Sequence, residues 1–453
     1  MMDIGAPLQC LRPHITATTH RPLSRITLAL LVRTGRITML GISRWAGKGG
    51  SYRTVQRWFA TVLPWAMLFW VFLRQPVHGP AEVSFVAGDA VIVTQAGQHP
   101  HGLARFFASL YGTPVPGLAF CTLSLVSVQT RRSCPRRIAQ VVRSDAEKAA
   151  RKAQAAAKQP KLAAATRRPG RPKGRKHTHK AAATRPLELV RIPALLTALL
   201  QLMAPVLSVT SLVLAGHFGN HHTLQRARPC GLHRIAKLRG DAALSCPSTG
   251  PYAGRGPRRQ YGPKVADAHL PVPDRKETRV EGHIETRRYQ RQLHHKECTP
   301  PLHVVMIAKT NWRPQARAHV VLFSSDWALA SAALVNYYSL RCQIELNCRD
   351  AKQDWGLEDF MQVTPMGVTH AAHLSLFMVN VASCLRADGH AREPDYSVLS
   401  VLDLQADCRG YKYVEETIKM LPEKPEPVLL AKLLKQVAGL GRIHAAQPSF
   451  SFS

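Results

Sequence analysis

The stretch that most constrains this chain is Val83 to Val93 in the word EVSFVAGDAVIVTQAG, an apolar, β-branched run broken by Gly88 and ended by Ala96-Gly97. That pattern predicts a strand, and the strand carries Asp89. An unpaired acid among apolar strand residues is costly to bury. Asp89 therefore either starts a turn or faces a partner such as a metal ion. More strand follows in LAFCTLSLVSVQTRR, bounded upstream by the turn Gly112 to Gly117. LELVRIPALLTALLQLMAPV then predicts a buried helix, Leu207 to Leu214 a strand running into a Gly-containing turn, and the segments beyond residue 326 further helices. Strands, helix, strand and later helix is the order of an α/β fold.

Ahead of that core, residues 1 to about 75 predict two long helical segments, LSRITLALLVRTGRITMLGISRW and SYRTVQRWFATVLPWAMLFWVFL, separated by AGKGGS. The layout suits a helix-turn-helix whose second helix opens with Ser51, Arg53, Thr54, Arg57 and Trp58, and it suits an ordinary helical hairpin equally well. The longest apolar run, Trp58 to Leu73, is short for a membrane span and holds Pro64, so it predicts buried helix.

Charge narrows the partner. Across 453 residues, 61 Lys plus Arg stand against 28 Asp plus Glu, giving +33. This is the footprint of a polyanion binder. Nucleic acid fits better than an anionic membrane surface, because the basic residues fall in loops and arms instead of opposite the apolar face of one amphipathic helix. The densest block, Lys148 to Pro186, has thirteen Lys and Arg and no acid. It buries too little apolar surface to fold and predicts a disordered insertion. Within it RRPGRPKGRK resembles an AT-hook that would send Arg171 into the minor groove of A·T-rich DNA; nonspecific phosphate binding is the other account. Between residues 221 and 325, strands are predicted at TRVEGHIETRRY, LHVVMIAK and AHVVLFSS, a β-rich insertion bearing Arg255, Arg258, Arg259, Arg287, Arg288 and Arg291. Ten cysteines lie scattered without a CxxC pair, which points to the reducing cytosol. Cys230, His233, His294, His295 and Cys298 lack the spacing of a zinc finger.

The word YSLRCQIELNCRDAK, Tyr338 to Lys352, repeats functional side chains at helical intervals: Tyr338, Arg341, Glu345 and Lys352, with Arg349 between them. On one helix they form a single stripe roughly 80° wide. Spacing alone admits a solvated face laced with weak ion pairs. It equally admits a carboxylate that holds a divalent cation, flanked by groups that grip phosphate.

These residues, together with AGDAVIVTQAGQHPHGLARFF, LAGHFGNHHTLQRARPCGLHRIAKLR, GPYAGRGPRRQYG, WRPQARAHVVLFSS and RDAKQDWGLEDF, make the chain resemble the DDE transposases of bacterial insertion sequences, in the branch marked by Tyr, Arg, Glu and Lys. The resemblance implies an α/β fold: an RNase H-like catalytic domain with a β-rich insertion, plus a helical N-terminal domain. It divides the chain into a helical N-terminal domain (1–78), an RNase H-like domain in pieces (79–144, 187–220 and 326–390), a disordered basic insertion (145–186), the β-rich insertion (221–325) and a C-terminal helical tail (391–453). It also implies cleavage and strand transfer of an insertion sequence by two-metal phosphoryl transfer, with Asp89 and Glu345 as catalytic metal ligands for Mg²⁺ or Mn²⁺. Tyr338, Arg341, Arg349 and Lys352 would bind DNA phosphates. The implied partners are double-stranded DNA, as terminal inverted repeats and target, and a second copy in a synaptic complex, with no membrane; the implied place is the bacterial cytoplasm, at the nucleoid.

One position departs from the family. The second catalytic Asp belongs where this chain has Ala215, in Leu214-Ala215-Gly216-His217-Phe218-Gly219-Asn220. Alanine offers no oxygen to a metal, while His217 and Asn220 are poor substitutes for a carboxylate on Mg²⁺. The expectation is a chain that keeps fold and DNA affinity but cleaves poorly or not at all; the alternative is a basic DNA-binding protein without chemistry.

Overall fold

The structure, a computed structural model, describes residues 5–73, 84–95, 97, 99–108, 110–150, 152–153, 187–204, 207, 209–214, 230–239, 242–251, 254, 260–265, 274–295, 298, 300–392, 400–423 and 425–443. Ala215, His217, Asn220, Arg171, Arg255, Arg258 and Arg259 lie outside them. Of the basic block, residues 148–150, 152 and 153 are described and are helical. They continue a helical turn that begins where Ser144 and Glu147 cap each other, the Glu147 amide donating to Ser144 Oγ at 3.2 Å and the Ser144 amide to Glu147 Oε2 at 3.0 Å.

The N-terminal region holds more helices than the two expected. A 3-10 segment (Ala6–His14) leads into α1 (Ala17–Val32), α2 (Met39–Trp45), α3 (Tyr52–Phe59) and α4 (Trp65–Leu73). Side-chain caps set the starts of the middle two: Thr38 Oγ1 accepts from the Gly41 amide at 2.9 Å and Ser51 Oγ from the Thr54 amide at 3.3 Å. The run from Trp58 divides because Pro64, which cannot donate within a helix, stands just before α4. α1, α2 and α3 pack on one another, with Ile26, Leu30, Ile42, Val55 and Trp58 buried between them.

The sheet begins with β1 (Ser84–Thr94), β2 (Ala104–Ala108), β3 (Thr113–Ser127) and β4 (Ser133–Val141), then passes through α5 (Leu187–Met203) to β5 (Ser211–Leu214). After these come β6 (His233–Leu238), β7 (Leu244–Pro247), β8 (Tyr261–Lys264), β9 (Arg275–Glu281), β10 (Ile284–His295), β11 (Leu302–Asn311) and β12 (Ala316–Ser324). The strand order is β2-β3-β1-β5-β6-β12-β11-β10-β7-β8, with β4 also on β3 and β9 also on β10. β1 runs antiparallel to β3 and parallel to β5, and β5 parallel to β6. From β6 outward the pairs are antiparallel through β12, β11 and β10. The fold is α/β, with a mixed, RNase H-like sheet and a helical N-terminal region.

Three differences from the sequence reading have local causes. Gly88 does not break β1, whose pairing with β3 is continuous from Ser84 to Thr94. A Cβ at Gly88 would sit 2.7 Å from Leu214 Cδ2 and 3.1 Å from Leu123 Cδ2, so glycine is there for close packing between strands. Thr113 to Pro116, expected as turn, are strand because they pair with β2. β5 is shorter than Leu207–Leu214, four residues long and held on both edges by β1 and β6.

Alternation along β1 separates two layers. Val86 packs with Leu123, Leu125 and Leu212 against Leu196, Leu199 and Met203 of α5. Phe85 and Ala87 face the other side, with Leu334, Leu340 and Ile344. Those last residues belong to α6 (Ser331–Leu340) and α7 (Cys342–Gln353), which are followed by α8 (Pro365–Arg392), α9 (Val401–Met420) and α10 (Pro427–Gly439). Within the apolar stretch Pro365–Ala387 of α8, an 18-residue run has 78 % of its residues buried in the protein, so its apolar surface is taken up by packing. The N-terminal helices join this side of the sheet in one core, where Leu30, Trp58 and Phe69 share a cluster with Phe120, Trp355 and Phe377.

Candidate active site

Asp89 has the same parity on β1 as Phe85, Ala87, Val91 and Val93, the residues that face α6, α7 and α8. Its side chain therefore points at the Glu345 helix, and is only 14 % exposed. Burial pushes its carboxyl up to about 6, outweighing the Ala90 amide, which donates to Oδ1 at 2.8 Å, and the nearby Arg341.

The stripe from Tyr338 to Lys352 is carried by two helices and not by the single one expected. α6 ends at Leu340, α7 begins at Cys342, and Arg341 stands at the junction. Its φ of −55° and ψ of −31° remain helical, but the turn tightens: the Arg341 amide bonds to the Tyr338 carbonyl at 3.2 Å and the Ile344 amide to the Arg341 carbonyl at 3.1 Å. Leu340 and Ile344 on either side are fully buried against the sheet and anchor the junction there.

From that junction the Arg341 guanidinium reaches both acids. Nη1 donates to Asp89 Oδ2 at 3.2 Å and Nη2 to Glu345 Oε1 at 2.6 Å. Two carboxylates 256 positions apart in the chain (345 minus 89) are thus joined through one side chain. Arg341 is 16 % exposed and Glu345 54 %, so the site is open on the Glu345 side. Burial works against the Arg341 charge, yet the hydrogen bond to Glu345 and the charge of Asp89 more than offset it, and its pKa is raised. Tyr338 lies beside the guanidinium, 5.7 Å from ring centre to Cζ, and its phenol is shifted upward by burial despite the neighbouring Arg341.

The other two basic residues are also engaged within the protein. Lys352 Nζ donates to the Ile92 carbonyl at 2.8 Å and pairs with Glu358 Oε1 at 2.8 Å. Arg349, 56 % exposed, pairs with its neighbour Asp350 at 2.8 Å. Thr122 and Glu358 escaped the sequence reading. Thr122 Oγ1 donates to the Asp89 carbonyl at 3.2 Å from β3, opposite Asp89 in register, and nothing in sequence spacing marks it. Glu358 stands six positions after Lys352, beyond the end of α7, and no helical interval connects them.

The donor set suits one hard divalent cation better than two. Mg²⁺ is commonly held by one or two carboxylates with water completing the shell, and Asp89 and Glu345 are the two that could hold it here. Among the described residues no three of His, Cys, Asp and Glu come together as metal ligands. β5 is described up to Leu214, in register with Gly88 beside Asp89, and the next residue in sequence is Ala215.

Comparison with curated proteins returned no match. Comparison with family profiles matched the one described as "DDE superfamily endonuclease" over residues 10–299, a span that takes in the N-terminal helices, Asp89 and the strands through β10. Since that match covers well over half of the chain, the chain belongs to the DDE superfamily endonucleases.

Proposed function

We propose that this protein is the transposase of an insertion sequence, of the branch marked by Tyr338, Arg341, Glu345 and Lys352, and that Ala215 leaves its cleavage chemistry impaired. The observation that carries the reading is the meeting of Asp89 and Glu345 at one guanidinium. Structural ion pairs also join distant residues, but a buried acid held up at about 6 beside a second acid and an arginine is the kind of group found at reactive sites.

Asp89 and Glu345 would hold a single Mg²⁺ or Mn²⁺. Held by these residues, such an ion would supply Lewis-acid chemistry for phosphodiester cleavage. Tyr338, Arg341, Arg349 and Lys352 lie along the same helices and would engage the DNA backbone beside the scissile bond, with arginine suited to gripping phosphate bidentately. Double-stranded DNA would also meet α3, which turns Tyr52, Arg53, Gln56 and Arg57 outward while Val55, Trp58 and Phe59 are buried, the division of faces expected of a helix that reads a groove. Joining two transposon ends calls for two copies of the chain, at the bacterial nucleoid.

The decisive experiment is metal-dependent cleavage of duplex carrying the element's inverted repeat. The chain as it stands should nick slowly or not at all, and Ala215→Asp should restore nicking. Vigorous cleavage by the unmodified chain, abolished by Asp89→Ala, would overturn the impairment. A protein that only binds DNA would show no cleavage in either form, and Glu345→Gln would then have nothing to remove.

A further inference from the structure

Arg341 places a positive charge where a cation between Asp89 and Glu345 would also have to sit. Nη1 and Nη2 each take one carboxylate, while the buried Nε has no acceptor among the described residues. Two acids and one guanidinium leave a net charge of −1, and a divalent ion arriving with the guanidinium still in place meets repulsion at contact distance. An approaching phosphate offers the same guanidinium two oxygens and a stronger, bidentate grip.

Resting on the reading above, we propose that Arg341 is an internal counter-ion exchanged between the Asp89–Glu345 pair and a DNA phosphate, so that DNA must be seated before the pair binds a divalent cation. Free of DNA, the guanidinium holds both carboxylates together and keeps the cation out. With DNA bound, it moves to phosphate and releases the pair. Because coupling between two binding events is reciprocal, the cation then strengthens DNA binding by the same factor. Arg341 thus touches DNA directly and acts on the cation only through the two acids.

The test is calorimetric titration of Mn²⁺ into the full chain, without DNA and then with duplex of the element's end. Arg341→Gln should bind Mn²⁺ more tightly than the unmodified protein in the absence of DNA, by a factor of roughly 5 to 150. That gain should vanish in Arg341→Gln/Glu345→Gln. Arg341→Lys, which keeps the charge but not the fork, should fall between. Duplex should raise the Mn²⁺ affinity of the unmodified chain and leave that of Arg341→Gln unchanged. Equal affinities for the free unmodified and Arg341→Gln proteins, absence of binding in both included, would overturn the proposal, as would a gain that survives loss of Glu345. Thermal melts of each variant show whether it folds, and Arg341→Lys decides the question if Arg341→Gln does not. A gel shift without divalent ions separates failure of the DNA-binding reading from failure of this one.

Discussion

Lys352 Nζ donates to the carbonyl oxygen of Ile92 at 2.8 Å, tying α7 to β1 three residues beyond Asp89. The same ammonium pairs with Glu358 and is 27 % exposed, so much of its work is done out of water. Lys352→Ala should therefore destabilise the protein by roughly 1 to 3 kcal/mol, the range for losing a partly buried charged hydrogen bond. Urea unfolding measures this. A variant as stable as the parent would leave Lys352 free for phosphate alone.

Gly88→Ala should act on the neighbouring strand. Its new Cβ would lie 2.7 Å from Leu214 Cδ2, closer than real contacts allow, and 3.1 Å from Leu123 Cδ2, a tight contact. A cost of about 1 to 3 kcal/mol is expected from overpacking. The cost should shrink when Leu214→Ala is added, because contacting sites are not additive. Strictly additive thermal shifts would mean that the strain is relieved elsewhere.

Acid should loosen the join between the N-terminal helices and α8. Trp65 Nε1 donates to His370 Nδ1 at 3.1 Å, which requires that nitrogen to be unprotonated. Burial holds the His370 ring at about 4, below the ordinary 6.5. The unfolded chain thus takes up a proton first: the contribution is complete above about 6.5 and is lost as pH falls through about 4. His370→Gln, which keeps an acceptor but does not titrate, should lose its disadvantage against the parent as the pH drops. Unfolding midpoints that differ equally at pH about 7.5 and about 4.5 would rule this out.

DNA binding should separate α3 from the basic block. Arg53→Ala and Arg57→Ala change exposed residues of α3, and each should lower affinity and reduce the slope of log affinity against log salt by about 1. Fluorescence anisotropy across a salt series reads both quantities. An unchanged slope would place the DNA elsewhere.

Deleting residues 148–186, with their thirteen basic side chains, should weaken binding similarly for all duplexes. Competition between the element's ends and random duplex is the measurement. A loss confined to the ends would show that Arg171 and its neighbours read sequence.

Legibility varied with the range of the interaction. β1 could be read from its β-branched run, α5 from its apolar run, and the spacing from Tyr338 to Lys352 from helical periodicity, because each is a local pattern. β4, β2 and β6 escaped notice. β4 contains Pro135, Arg136 and Arg137, a composition that hides a strand, and it exists because it pairs with β3. The break at Arg341 was equally invisible, since its backbone angles stay helical and only the hydrogen bonds tighten.

By itself the sequence determined the α/β order, the basic character of the chain, the family resemblance and the identities of Asp89, Glu345, Arg341 and Ala215, all of which follow from residue type and short spacing. The tertiary structure alone decided that Arg341 lies between the two acids, that Lys352 contacts Ile92 and Glu358, and that the N-terminal helices share a core with α8. The reason is distance along the chain. A side chain's partner across 256 positions is set by the register of β1 against its neighbours and by the anchoring of Leu340 and Ile344, and no local periodicity records either.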